Sequence, residues 1–302
     1  MTSLLQLFAN GLVFASIVLL GSVGLSLIFG IGNFANFAHG EFLTIGAYLT
    51  YAASVQFELP LVLAGILGIA GTTVIGIIFD RGLLVRHRDS PAIVLLIVTM
   101  GVALLLRSFI RIIWSSELRS LGQGVSEGHT IVDSVVNFSG YDLVIRLVLT
   151  IDAILIVLLG AVIAFVTHLF LTRTKTGVAM RATSDNESLA EVTGINVDRV
   201  MTVTVMFSAG LAAIGGIFLG INNGVILPRM GFNVLLVIFA AVILGGIGSP
   251  YGAMIGAYII GIAQEMSVAL PFITPEYRFA VSFIVMVVVL LFRPTGIAGA
   301  RW

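Results

Sequence analysis

The chain has 302 residues, of which 59% are hydrophobic and only 10% charged, whereas a soluble domain carries about 25% charged residues; a water-exposed globular fold is excluded. Fifteen basic residues balance fifteen acidic ones, so no net field favours nucleic acid, and the absence of cysteine removes disulfides, thiolate catalysis and Cys-ligated metal. The apolar residues fall in runs near the roughly 20 residues that a helix needs to cross the hydrocarbon core, and no linker or charge block divides them. One all-α polytopic membrane domain over residues 1–302 is therefore predicted.

Hydropathy predicts spans near 9–31, 34–57, 60–79, 92–113, 143–171, 200–222, 233–248, 251–270 and 277–293, eight or nine crossings in all. Met1 to Asn10 contains no Lys or Arg, so the first run is expected as a retained span rather than a signal peptide. The second run is interrupted by Asn33, Asn36, His39 and Glu41, and the seventh is short and ends in Gly245, Gly246 and Gly248. Each reads as a half-helix or re-entrant segment, the only form in which irregular backbone is tolerated at membrane depth.

Within the second run, a helix starting before Asn33 would put Asn33, Asn36 and His39 or Gly40 on one face and Glu41, Thr44 and Tyr48 on its neighbour. Two readings stand: these residues line a translocation pathway, or they cap a helix start and hydrogen-bond its neighbours. Asp152 is expected about nine residues into the fifth span, near mid-membrane, paired with Arg107, Arg111 or Arg146 or facing substrate. Gln264 and Glu265, inside the eighth span, pose the same choice. Asn222 and Asn223 read as helix C-cap residues before Gly224.

Orientation follows from basic residues beside the spans. Arg81, Arg86 and Arg88, then Arg173, Lys175, Arg181 and Arg199, then Arg293 and Arg301 fall on one side if there are nine crossings. That side is expected in the cytoplasm, with the C-terminus, leaving 114–142 as an external loop; Arg107, Arg111 and Arg119 run against the rule. The segment 173–199 holds a short amphipathic helix, capped near Ser184 or Asp185 and stopped by Gly194, readable either as a docking knob or as a solvated connector.

Small residues at four-residue spacing mark helix contacts: Gly68, Thr72, Gly76; Ser208, Ala212, Gly216, Gly220; Gly248, Gly252, Gly256. An internal echo, Ile45 to Tyr48 against Ile255 to Tyr258, follows a Gly-Ile-Gly each time, as structural repeats in transporters would. Chemistry has little to stand on. No phosphate-cradling Gly-rich loop with Lys-Ser/Thr, no zinc-binding His-Glu-x-x-His and no Gly-x-Ser-x-Gly is present, so the chain is expected to be no enzyme and to bind no ATP or metal itself.

Three stretches carry a family resemblance: Asn33-Phe-Ala-Asn-Phe-Ala-His39-Gly40-Glu41-Phe42; Thr174-Lys-Thr-Gly177-Val-Ala-Met-Arg181-Ala with Gly194-Ile195-Asn196; and Leu244-Gly-Gly-Ile-Gly-Ser-Pro250-Tyr-Gly252-Ala. Together with Arg293-Pro294-Thr295-Gly296-Ile297, they make the chain resemble, almost end to end, the permeases of branched-chain amino acid importers of the ATP-binding-cassette class. The resemblance implies a second homologous permease subunit, two cytoplasmic ATPases that use the ATP, and an extracytoplasmic solute-binding protein. It also implies that the segment around Ser184 to Asn196 is a coupling helix seated in the ATPase, with Arg181, Asp185, Glu187, Ala190 and Gly194 as its residues. Ala190 and Gly194 keep the family's spacing, while Ser188 stands where an acidic residue is expected and Glu187 comes one residue early. Urea or short-amide importers share these motifs. An ion-coupled secondary carrier using Glu41, Asp152 or Glu265, or a passive channel, would also be polytopic.

Overall fold

A computed structural model describes residues 4–88, 90–121, 128–138, 141–270, 273–274, 277–293 and 295–298, and the backbone alone of 132–138 and 141–146. Its helices are α1 Leu4–Gly32, α2 His39–Tyr51, α3 Leu61–Phe79, α4 Val85–His87, α5 Ala92–Trp114, α6 Ile151–Arg173, α7 Lys175–Asp185, α8 Glu187–Val192, α9 Val197–Asn223, α10 Met230–Gly245, α11 Pro250–Met266 and α12 Arg278–Phe292. Strands β1 His129–Phe138 and β2 Tyr141–Leu149 form a hairpin between α5 and α6. Six helical segments are long and apolar enough to cross a membrane: Leu4–Gly32, Leu61–His87, Ala92–Trp114, Ile151–Arg173, Val197–Asn223 and Pro250–Ala269. The shorter helices α2, α10 and α12 occupy the other three predicted positions.

Burial separates core from perimeter. In their most apolar windows α1 is 89% and α9 72% buried, against 22% for the segments holding α3, α5 and α6, so α1 and α9 form the centre and the others face lipid. The perimeter helix α3 buries Ala64, Gly68, Thr72 and Gly76, a one-sided stripe at helical spacing that presses on α2 and α9. Without a hydrophobic drive in lipid, such backbone proximity is what holds helices together. Gly216 is the tightest case in its predicted stripe, because a Cβ there would overlap the Leu43 carbonyl.

Two central helices end in the same way. At Gly32 helix α1 stops, Asn33 takes φ 52°, and residues 33–38 run to the start of α2 at His39. At Asn223 helix α9 stops, Gly224 takes φ 70°, and residues 224–229 run to the start of α10 at Met230. Both connections turn back into the bundle. His39 lies against Gly21 and Ser208, each well over 10 Å along its helix from the nearest end at 1.5 Å per residue. Gly40 of α2 and Gly231 of α10 touch reciprocally, each leaving no room for a Cβ against the other's carbonyl oxygen. Around this contact α1 packs on α11 as α9 packs on α3, and α10 on α11 as α2 on α3. Since α1 and α9 run in opposite directions, the units α1 to α3 and α9 to α11 form an inverted repeat, as in many transporters.

Three expectations are corrected. The echo of Ile45 to Tyr48 with Ile255 to Tyr258 joins α2 to α11, which are not equivalent in this repeat; α2 corresponds to α10. The predicted fifth span begins too early. Residues 141–149 pair antiparallel with 129–138, His129 opposite Leu149 and Phe138 opposite Tyr141, because the β-branched residues Val132, Val135, Val136, Val144, Ile145 and Val148 favour strand, and an apolar run alone does not distinguish strand from helix. Asp152 is consequently in the first turn of α6, capped by Thr150, whose hydroxyl accepts from the Ala153 N–H, rather than near mid-membrane. Finally, the seventh segment starts at Met230 and not 233.

The connections gather at two ends of the bundle. One end carries the start of α1, the hairpin, the end of α9 and the start of α12; Gln6 fastens the hairpin there by pairing both ways with the Val148 backbone, at 2.7 and 3.0 Å. The opposite, basic end holds Arg81, Arg86, Arg88, Arg173, Lys175, Arg181 and Arg199. There Arg88 bridges buried Asp80 and exposed Asp198, and Thr202 donates to Asp80 at 2.7 Å.

Candidate functional site: a polar cavity and a buried polar knot

A cavity of about 710 Å³ lies at the end bearing the start of α1. Its walls come from α1, α6, α9, α10, α11 and α12, and it descends to Met230, Asn233 and Val234 in the first turn of α10. Below that level Gly21 packs on Ile238 and the rings of Phe37 and Phe239 meet at 5.1 Å. The wall mixes Val13, Phe14, Leu219, Ile221, Leu227 and Phe279 with the amides of Gln6, Asn10, Asn222, Asn223 and Asn233. Such a lining can accept a small solute with one apolar and one polar part.

Of the eight predicted pathway residues, Asp152, Gln264 and Glu265 line this cavity. Gln264 Oε1 accepts from the Ser282 hydroxyl at 2.8 Å, and Glu265 accepts from Arg278 at 2.8 Å. Arg107, an expected partner of Asp152, instead reaches Glu41. The side chain of Arg146 lies outside the described residues. Asn222 and Asn223, read only as cap residues, also line the cavity. Gln6, Asn10, Asn233 and Arg278 were missed. Their signal was an amide or charge within a few residues of an apolar helix end, which does not reveal the face it takes.

The other five residues lie elsewhere. Asn33 is exposed and terminates α1, its N–H bonded to the Phe29 carbonyl at 2.9 Å, so it shares no helix face with Asn36 and His39. The reason is local: α2 begins only at His39. Asn36, His39, Glu41 and Thr44 are fully buried and form a polar knot beneath the cavity. A re-entrant coil at this depth must find partners for its backbone groups. Asn36 Oδ1 accepts from the Ala38 N–H at 3.0 Å, and Thr99 accepts from the Phe37 N–H at 3.2 Å. Thr44 accepts from the Gly231 N–H at 3.1 Å, so α2 caps α10, which has no side-chain cap of its own. His39 Nε2 donates to the Gly21 carbonyl at 2.9 Å, which can only accept; its Nδ1 therefore takes the Ser208 hydroxyl at 3.4 Å. The Arg107 Nε donates to Glu41 at 3.1 Å, and its guanidinium also lies 4.5 Å from the Phe232 ring centre.

At the basic end α7 runs from Lys175 to Asp185, and α8 follows after Asn186. The cap of α8 is Asn186, which accepts from the Leu189 N–H at 2.9 Å, one residue beyond the predicted Asp185 and two beyond Ser184; Asn186 breaks α7 by taking an extended conformation. Gly194 stops α8 as expected. At φ 90° it donates to Glu191 while Ile195 donates to Ala190, the two-bond closure that favours glycine. Asp185 and Glu187 are exposed, Ala190 is buried, and Arg181 turns against the bundle beside Gly30 and Gly248. The outer face of α8 presents Leu189 and Val192, 61% and 86% exposed.

Residues 7–290 match the family profile described as the permease component of branched-chain amino acid transport systems. The chain is 34% identical to the high-affinity branched-chain amino acid transport system permease protein LivH of Escherichia coli, over 98% of this chain and 95% of that protein. It is 30% identical to the permease protein BraD of Pseudomonas aeruginosa, over 98% and 95%. With LivM of Salmonella typhimurium, a permease of the same kind of system, it shares 25% identity over 93% of this chain and 67% of the relative.

Proposed function

We propose, starting from the fact that this chain belongs to the family of branched-chain amino acid transport permease components, that it is a membrane-spanning subunit of an ATP-driven importer for branched-chain or similar apolar amino acids. The observation that carries the reading is the cavity: it descends from one end to the start of α10, and below it Gly21 packs on Ile238 and Phe37 on Phe239, as in a pathway open to one side at a time. The chain crosses the bilayer nine times in this reading, α2 and α10 each completing as a half-helix a crossing that the coil before it begins. The basic end is cytoplasmic, by the bias of Lys and Arg, and the C-terminus with it. The cavity then faces outward and receives solute from a binding protein docked at the hairpin end.

Asp152, Gln264 and Glu265, with Asn222 and Asn233, form the outer part of the pathway. Asn36, His39, Glu41 and Thr44 belong to its closed part and must rearrange for solute to pass. The segment 173–199 couples the chain to a partner ATPase, with the apolar pair Leu189 and Val192 as its contact and Glu187 and Asp185 at the rim. The chain binds no ATP; two ATPases and a second permease complete the assembly. Ion coupling through Glu41 or Glu265 is disfavoured because each is already paired with an arginine.

Leucine uptake into proteoliposomes tests the reading. Uptake that requires this chain, the second permease, the ATPases, ATP and the binding protein together supports it; uptake by this chain alone, without ATP, replaces it with a secondary carrier or channel.

A further inference from the structure

We infer that the cleft between the ends of α3 and α9 at the basic end is a binding site for the phosphate of an anionic phospholipid. The cleft, about 420 Å³, is lined by Arg81, Val85, Asn196, Asp198, Arg199 and Thr202. Its one acidic side chain, Asp198, is engaged by Arg88, which also pairs with buried Asp80. Arg81 and Arg199 are exposed and have no ion-pair partner among the described residues. Two uncompensated guanidiniums in one cleft match the oxygens of a phosphate.

What selects a lipid over a soluble anion is the surface leading into the cleft. On α3, Ile66, Ala70, Val74 and Ile78 recur every four residues and are all exposed, Ile66 to 57% and Ile78 to 65%, and this lane runs down to Arg81. On α9, Met206 is exposed two turns from Arg199. An acyl chain lies along this outward lane of α3, on the side away from the stripe that packs on α2 and α9, and the headgroup enters the cleft, where basic side chains attract an anionic headgroup. The inference depends on the membrane setting and not on the transported solute.

Native mass spectrometry of the full chain, purified in its membrane assembly and titrated with dioleoyl phosphatidylglycerol or phosphatidylcholine, provides the test. Phosphatidylglycerol should be retained at least about tenfold more tightly, and the double variant Arg81→Gln, Arg199→Gln should bring it to the phosphatidylcholine level. Arg86→Gln, outside the cleft, should leave the preference intact. Equal retention of the two lipids by the unaltered protein, a preference that survives the double variant, or an equal loss in Arg86→Gln would overturn the site. Displacement of phosphatidylglycerol by millimolar inorganic phosphate would reassign it to a free anion. Loss of the ATPase from the double variant, with lipid retention unchanged, would reassign it to an acidic surface of that partner.

Discussion

A carboxylate buried as completely as that of Glu41 is stable only because Arg107 reaches it from α5, and that guanidinium is itself packed over Phe232 of α10. One ion pair thus joins three helices. Breaking a buried pair leaves an uncompensated charge and costs about 3–5 kcal/mol, while replacing both partners by apolar groups is often neutral. Arg107→Ala should therefore lower the thermal midpoint of the detergent-solubilised protein far more than the double variant Glu41→Met, Arg107→Leu. Equal losses would show that the charge pair is not what the site depends on. The reciprocal contact at Gly40 and Gly231 yields a second expectation. Gly231→Val forces a side chain into the Gly40 carbonyl, and overpacking of that kind costs about 1–3 kcal/mol or more. Loss of folded protein should follow on size-exclusion chromatography, whereas Gly65→Val, facing open space, should elute as the unaltered protein does. Neither partnership was legible in the sequence: Glu41 and Arg107 are far apart along the chain, and nothing local to either names the other.

At the scale of elements, half of the second and seventh segments was readable and half was not. Polar interruptions at Asn33 to Glu41 and the glycines ending the seventh segment pointed to broken helices, which α2 and α10 are. Where each begins depended on tertiary contacts, since Thr99 from α5 and Thr44 from α2 satisfy the backbone groups that local sequence leaves open. The segment 173–199 was more legible, because its stop at Gly194 is a local geometry. Its cap fell one or two residues away, within the usual uncertainty of helix ends. A prediction belongs here: Leu189→Asp with Val192→Asp should abolish co-purification of the ATPase and ATP-dependent uptake while leaving the thermal midpoint within about 0.5 kcal/mol equivalent, as exposed substitutions do. Retained ATPase would place the contact elsewhere on 173–199.

For the whole molecule, the natural absence of cysteine makes sidedness directly measurable. Asn222→Cys and Asn233→Cys should react with a membrane-impermeant maleimide added outside intact cells, Ser188→Cys only after the inner side is opened, and Asn36→Cys from neither side in the resting state. Labelling of Ser188→Cys from outside would invert the orientation. ATP turnover in the assembled importer should slow reaction at Asn233→Cys as the cavity closes, and an unchanged rate would mean that the cavity does not take part in the cycle.

Composition and apolar run length by themselves determined that the bilayer is the solvent, that the chain is mostly helical and where nearly all its helices stand, because the cost of exposing polar groups to lipid is set residue by residue along the chain. Short motifs determined the family. The tertiary structure alone decided that Asp152 opens a helix at the cavity wall, that His39 and Glu41 are tied into a knot rather than facing the cavity, and that α1 to α3 and α9 to α11 form an inverted repeat. Depth and facing depend on which helices meet, and those meetings are made by glycine backbones and single hydrogen bonds between segments far apart in sequence, whose energies no local pattern records.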